Sequence, residues 1–427
     1  MYAREWRVRE DFPRSVAKEL DAADPLAHLR DRFVIGDDDL VYLDGNSLGR
    51  LPAATPAHLD RLVRQGWGEQ LVRSWPTWIE WGHRLGDRLA AHALGARPGE
   101  VVVSDSTSVN LYKLAAAALD AAGDRRTVLV DAEEFPSDRY VLQGLAEARR
   151  LTLRMLPSDL DQGLRLDDLS AALTDDVALV VLSAVAYRSG ALQDLAAVNA
   201  AARRVGAVVL WDLSHAVGAV PLALSATGAD LAVGCTYKYL NAGPGAPAFL
   251  YVRREWQARL RQPIQGWFGQ RDQFVMGADY EPAPGLDRFL VGTPPILALA
   301  PLDPALDVLA EAGIDRVRAK GRRLGEMIVE LTDAWLTPYG FRVASPRDPD
   351  RRGSHVSLYH PEALRISRAL ATDGRVVGDY RTPDRLRLGA APLYTRYVDV
   401  WDALRRLRDL AERRGWEGAP GAPSRVT

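Results

Sequence analysis

Between residues 100 and 255 short apolar runs alternate with longer stretches of helix-forming residues. The runs are VVVS (101–104), TVLVD (127–131), LTLRM (151–155), VALVVLS (177–183), AVVLWD (207–212) and PAFLYV (247–252). Val177–Leu182 and Ala207–Trp211 are apolar without alternation, as expected of parallel strands covered by helices on both faces. The spacers, such as VNLYKLAAAALDAA and DLAAVNAAARRV, are rich in strong helix formers and long enough for right-handed crossovers. The pattern predicts an α/β unit on a mainly parallel sheet. Such a sheet takes its ligand at the carboxyl ends of the strands.

Prolines crowd residues 281–304 (EPAPG, GTPPI, APLDP), which predicts a change of unit there. The expected division is an arm and helix over 1–50, with one extended stretch, VYLD; a large unit over 51–290; a smaller α+β unit over 291–414; and a flexible tail over 415–427. The smaller unit is predicted to hold a helical stretch from Leu302 to Leu331 and a strand HVSLYH (355–360). A final amphipathic helix puts Trp401, Leu404, Leu407 and Leu410 on one face.

Composition narrows the function. The 427 residues are 47% hydrophobic and 26% charged, with 54 Lys plus Arg against 56 Asp plus Glu. That balance creates no field to attract nucleic acid or anionic lipid, so neither is an expected partner. One cysteine, Cys235, excludes a disulfide framework and any multi-cysteine metal site. The seven histidines (28, 58, 83, 92, 215, 355 and 360) form no compact ligand pattern, so no metal is expected, and His355 and His360 read as structural. The first twenty residues carry charges throughout, which fits neither a signal peptide nor a membrane anchor. A cytoplasmic location follows as the expectation.

The sharpest chemical signal is WDLSH (211–215) followed by YKY (237–239), with Lys238 lying 26 positions after Asp212. Lys238 sits in a weakly charged neighbourhood, where desolvation lowers an amine's pKa and makes it a nucleophile toward aldehydes. Pyridoxal phosphate asks four things of a protein: such a lysine, an acid for the ring nitrogen, a surface against the ring and neutral donors around the phosphate. Asp212 supplies the acid and Phe135 a ring face. DSTSVNLYK (105–113) opens a helix with Thr107 and Ser108, where free N–H groups and the helix dipole favour an anion.

The chain resembles the kynureninase family, the pyridoxal-phosphate enzymes that cleave kynurenine or 3-hydroxykynurenine between Cβ and Cγ. The likeness is carried by LDGNSLG (43–49), DSTSVNLYK, EFPSDRYVLQG (134–144), WDLSHAVGAVP (211–221), YKYLNAGPGAPAF (237–249), QGWFG (265–269), GTPPI (292–296), RGSHVSLYHP (352–361) and RLGAAPLYTRYVDVWDAL (387–404). It implies a fold type I large domain with a mainly parallel sheet, plus a smaller α+β C-terminal domain. By that resemblance Lys238 bonds the cofactor aldehyde, Asp212 partners the pyridine nitrogen and His215 lies near the ring oxygen. Thr107, Ser108 and Tyr237 would bind the phosphate, and Tyr237 is the candidate proton relay. Phe135 and Asp138 would contact the ring, and Ser183 gives a further cofactor contact. Trp267 and Thr293 match residues that reach the phosphate from a second subunit, which implies a homodimer. Arg387 matches the arginine for the substrate α-carboxylate, and Asn46, Ser47 and Trp67 would line the site for the aromatic amine. The products would be L-alanine and anthranilate or 3-hydroxyanthranilate, as in tryptophan catabolism or NAD biosynthesis.

Departures from the family pattern, Gln270 where many relatives have His and SAVA before YRSG, leave room for a modified kynurenine. Other readings make different demands. Another fold type I lyase or aminotransferase would keep the cofactor; a desulfurase would need a mobile thiol, and Cys235 reads as packing. Gly45-Asn46-Ser47-Leu48-Gly49 satisfies the G-x-S-x-G pattern of a hydrolase elbow, but Pro52 and Pro56 follow where a helix should begin. A catalytically silent binding protein would be expected to have lost Lys238 or Asp212.

Overall fold

A computed structural model describes residues 12–419 and 421; the rest of the expected arm and most of the expected tail lie outside them. After a two-residue strand, β1 (Val41–Tyr42), the central sheet is built from β2 (Val101–Val103), β3 (Thr127–Asp131), β4 (Thr152–Leu156), β5 (Val177–Ser183), β6 (Val208–Asp212), β7 (Leu231–Gly234) and β8 (Phe249–Val252). Their order is β2-β8-β7-β6-β5-β3-β4. Neighbours from β7 to β4 are parallel, while β8 is antiparallel to both β7 and β2.

The sheet is mainly parallel, as expected, and the run PAFLYV supplies its one reversed strand. A parallel return needs a crossover element, and residues 235–248, which join β7 to β8, contain no helix. Strand β7 itself, LAVG, is four residues long and was not predicted. The unalternating runs have a direct cause. Val180, Leu182, Val209 and Trp211 join the apolar cluster on one face, and Leu179, Val181, Val208 and Leu210 join the cluster on the other.

A second sheet is antiparallel: β9 (Arg342–Val343), β10 (His355–Tyr359), β12 (Asp379–Arg381) and β13 (Arg385–Gly389), in the order β12-β13-β10-β9. The remaining strand, β11 (Val376–Val377), pairs in parallel with β1, Val41 opposite Val376. The predicted helix from Leu302 to Leu331 is two helices, Leu302–Ala312 and Ile314–Trp335, broken at Gly313 with φ 74°.

The cores do not change over at residue 290. Leu302, Leu306, Leu309 and Val317 pack into the large-sheet cluster, whereas Phe12, Ala17, Val41 and Leu43 pack with Leu324, Leu358, Leu388 and Leu404 of the small unit. Prolines at 281–304 interrupt helix and strand, and such a break says nothing about which core the next helix joins. The N-terminal segment is fastened to that unit by Arg14 and Asp402, 2.6 Å apart.

Candidate active site

Strands β3, β5 and β6 end at one edge of the large sheet, so Phe135, Ser137 and Asp138 beyond β3, Ser183 at the end of β5, and Asp212, Ser214 and His215 at and after the end of β6 converge there. With the start of helix Thr107–Ala121 and the 235–248 loop they bound a cavity of about 550 Å³. The small unit closes it with Arg381 and Arg387, and the turn after β1 adds Asn46 and Ser47.

The sheet side of this cavity is acidic. Asp212, the last residue of β6, accepts from Ser214 N at 2.7 Å. Asp138, in the first turn of helix Pro136–Arg149, is buried, and its Oδ2 has no hydrogen-bond partner among the described residues. Glu134 accepts from Ser183 N at 2.6 Å, from the Ser183 hydroxyl and from Phe135 N at 2.9 Å. Neighbouring buried carboxyls resist ionising together. Burial, then the charges of Asp212 and Glu134, hold Asp138 well above the usual carboxylate range. Burial above all pushes Glu134 up to about 7, with the Asp212 charge adding to it.

Lys238 enters from the 235–248 loop, with Nζ 3.0 Å from His215 Nε2 and 6.0 Å from the centres of the Phe135 and Tyr237 rings. Burial, then the charge of Lys238, holds His215 well below the usual histidine range, so its ring is neutral. Its buried Nδ1 has no partner among the described residues. The Phe135 ring is packed edge-on against Tyr187, centroids 5.3 Å apart. Burial raises the Tyr237 phenol, which therefore keeps its proton at neutral pH.

An anion cradle closes the far end. Ser106 caps helix Thr107–Ala121, its side chain accepting from Val109 N at 3.4 Å. The hydroxyls of Thr107 and Ser108 and the first free N–H groups are left for a ligand.

The small-unit side is basic. Arg387, buried on β13, donates through Nε to Asp379 Oδ1 at 2.8 Å and through Nη2 to Asp379 Oδ2. Nη1 donates to the Tyr187 carbonyl at 2.6 Å and Nη2 to Ser47 Oγ at 3.1 Å. With its amide oxygen turned toward Arg387, Asn46 accepts from Nε at 2.6 Å and from Nη2 at 3.0 Å. Ser47 also donates to Asp379 Oδ2 at 2.8 Å, and among the described residues no histidine hydrogen-bonds it. Asn46 and Ser47 are thus engaged by Arg387 and Asp379. Ser47 lacks the base a hydrolase nucleophile needs.

Lys238, Asp212, His215, Thr107, Ser108, Phe135, Asp138, Ser183, Tyr237, Arg387, Asn46 and Ser47 all line this one cavity. Three of the expected residues do not. Trp67 lies with Trp78 and Pro294–Ala298 on a separate apolar groove, Thr293 lines a smaller neighbouring cavity, and Trp267 is 44% exposed. Sequence reasoning missed Glu134, Arg381 and Asp379. Cys235 is buried, with Sγ 3.8 Å from the Ser214 carbonyl, and its thiol is pushed up by burial, the opposite of a reactive loop thiol.

A half-buried amine, a carboxylate, an aromatic face and an anion cradle in one cavity are the donor set pyridoxal phosphate requires. The chain superposes on a cysteine desulfurase from Thermococcus onnurineus NA1 with a TM-score of 0.78, over 93% of this chain and 98% of that one, at 18% identity. It superposes on the lyase C-DES, with glycine covalently linked to its pyridoxal-phosphate cofactor, with a TM-score of 0.77, over 89% and 99% of the two chains, at 21% identity. The fold is that of the fold type I pyridoxal-phosphate-dependent enzymes.

Sequence narrows the class. The chain is 41% identical over 408 residues to the kynureninase of Pseudomonas fluorescens, and 42% identical over 413 residues to that of Burkholderia pseudomallei (strain 1106a). Each match covers 94% of this chain and 96% of the relative. Residues 317–407 match the kynureninase C-terminal domain family. The chain belongs to the kynureninase family.

Proposed function

We propose that this protein is a pyridoxal-phosphate-dependent hydrolase that cleaves the Cβ–Cγ bond of L-kynurenine or 3-hydroxy-L-kynurenine. The products are L-alanine and anthranilate or 3-hydroxyanthranilate. The observation that carries this reading is the meeting, within one cavity, of a lysine 3.0 Å from a neutral buried histidine, the buried carboxyls of the sheet side and Arg387 of the small-unit side.

Thr107, Ser108 and Tyr237 would hold the cofactor phosphate, Phe135 and Asp138 its ring, Asp212 its pyridine nitrogen and His215 its ring oxygen, with Ser183 close by. When bound, the cofactor supplies an aldehyde for amines and a protonated ring that draws electrons from the substrate's Cα. Lys238 Nζ is the base that moves the proton at Cα. Neutral His215 sets its ring Nε2 3.0 Å from that amine, within reach to hold it in place. Asp212, with Asp138 beside it, would keep a proton at the ring nitrogen. The Tyr237 hydroxyl, protonated at neutral pH, is the donor near the phosphate. Arg387 orients the substrate through its α-carboxylate.

The active unit is a homodimer in this reading. Trp267 and Thr293 would reach the partner's phosphate site, and Trp67 would meet the aromatic amine. Large apolar side chains left at the surface support it: Val72, Phe274, Val275 and Met276 are 73%, 80%, 74% and 69% exposed, and surface patches of this kind mark interfaces. No helix among the described residues is long and apolar enough to cross a membrane, and a single reduced cysteine suits the cytoplasm.

The test is to load the protein with pyridoxal phosphate and record its visible spectrum with L-kynurenine and 3-hydroxykynurenine, following the fluorescence of the aromatic acid. Wild type should show a visible band and release product, and Lys238→Ala should do neither. A band without aromatic acid would reject the substrate, and no band would reject the cofactor.

A further inference from the structure

Strand β12 carries Asp379 and Arg381 two residues apart, so both side chains leave one face of the small sheet. The antiparallel register sets Asp379 opposite Arg387 and Arg381 opposite Arg385. Arg381 and Arg387 both line the cavity, and Asp379 lies between them, with Oδ1 2.8 Å from Arg387 Nε and Oδ2 2.8 Å from Arg381 Nη2.

This arrangement is short of negative charge. One carboxylate serves two guanidinium groups. Asp161 and Asp384 do not help, because both pair with Arg385. Asp44 is a weak counter-charge near neutral pH, since burial, then the charge of Asp379, pushes it up to about 7. Like charges directly opposite in a sheet are unfavourable, and a cation short of its anion in a buried site is costly. The surplus of positive charge sits beside the cavity, where an anionic ligand removes the penalty.

The two arginines also differ in how fully they are used. Arg387 is buried and donates to Asp379, Tyr187 and Ser47 and to Asn46 as well. Arg381 keeps 23% of its side chain accessible, donates to the Tyr380 carbonyl at 2.9 Å and, among the described residues, otherwise pairs with Asp379. A guanidinium presents five N–H donors in a fork that matches a carboxylate, and Arg381 is the fork with donors to spare.

We propose that Arg381 is a second ligand of the substrate α-carboxylate, sharing Asp379 with Arg387 so that one unit of positive charge is held at the cavity for one incoming anion. The inference rests on the reading of Arg387 as the carboxylate site. Arg387, locked by its neighbours, fixes where the carboxylate lies, and Arg381 supplies free donors and charge.

The experiment compares wild type, Arg381→Gln and Arg387→Gln as cofactor-loaded enzymes. Each binds L-kynurenine and its α-carboxamide, with the visible spectrum as readout. Arg381→Gln should weaken the acid about 10- to 100-fold, raise KM to match with kcat within about threefold, and weaken the carboxamide less than about threefold. Arg381→Lys, which keeps the charge and loses the fork, should recover part of the loss. Equal weakening of acid and carboxamide would reduce Arg381 to a scaffold residue and overturn the proposal. Loss of acid binding in Arg387→Gln alone would also overturn it while leaving Arg387 as the carboxylate site. No loss in either variant would overturn both readings.

Discussion

Asp138, on the sheet side of the cavity, and Asp379, behind the small-unit side, are 2% and 1% exposed, yet their carboxyls shift in opposite directions. Asp138 is raised by burial and by Asp212 and Glu134, against which Lys238 is a weaker opposing influence. Asp379 meets the same burial, but the Arg387 guanidinium reverses it and holds the carboxyl below its ordinary value. Burial is common to both, so the sign of the neighbouring charge decides. One side of the cavity stores protons and the other stores affinity for an anion. In the proposed reaction that polarity directs the pyridine nitrogen to the first side and the substrate carboxylate to the second.

Removing the centre of each side should break the comparison most visibly. Asp212→Ala takes away the acid expected at the ring nitrogen, and kcat should fall by about a thousandfold or more, within the range for lost acid–base assistance. A variant within tenfold of wild type would contradict the role given to the carboxyl cluster. Asp379→Asn strands two guanidinium groups on the other side. Breaking a buried pair by removing one partner costs about 3–5 kcal/mol, so urea unfolding should show a large loss of stability, and KM should rise because Arg387 loses its anchor.

How much of this polarity was legible in the sequence depends on the length scale that built it. TVLVD and VALVVLS give strands with the predicted bounds because both sheet faces are covered. Asp212, Lys238 and Phe135 then follow from strand ends and local motifs. The orientation of β8 was missed because a loop without a helix carries Lys238 back across the sheet. Asp379 and Arg381 were missed for another reason: a three-residue strand has no periodicity to read, and its role depends on pairing with β13. The clue was the spacing of charges in DYRTPDRLR, where 379, 381, 385 and 387 share parity about a Thr-Pro-Asp turn. Glu134 stands directly before the FPSD motif and was passed over as its flank.

The opposite shifts should also be visible in stability against pH, an effect of intermediate size. Glu134 is raised in the folded protein to about 7, so the folded state holds this proton more tightly than the unfolded chain does. The stability this group contributes is full below its ordinary pKa of 4.5 and is lost as pH rises through about 7. Asp379 is lowered, so its contribution is present above its ordinary pKa of 3.8 and is lost as pH falls through the lowered folded value. Glu134→Gln should therefore flatten the decline in unfolding free energy between about pH 5 and about pH 8, relative to wild type. Asp379→Asn should instead reduce the loss on acidification. Identical slopes in all three proteins would mean that the two sides of the cavity do not differ in proton affinity.

Ser47 gives the smallest expected effect and the most discriminating one. It sits in a formal G-x-S-x-G pattern, and a nucleophile there would be indispensable. The geometry assigns it to the basic side instead, donating to Asp379 Oδ2 at 2.8 Å and accepting from Arg387 Nη2 at 3.1 Å. A hydrogen bond to a charged group contributes about 1.5–3 kcal/mol, and Arg387 keeps Asp379, Tyr187 and Asn46 when this one is lost. Ser47→Ala should accordingly raise KM about 5- to 20-fold, with kcat and the visible band of the bound cofactor nearly unchanged. Complete loss of activity with the band intact would make the Ser47 hydroxyl part of the chemistry itself. A KM effect alone would confine it to holding the arginine on which substrate orientation depends.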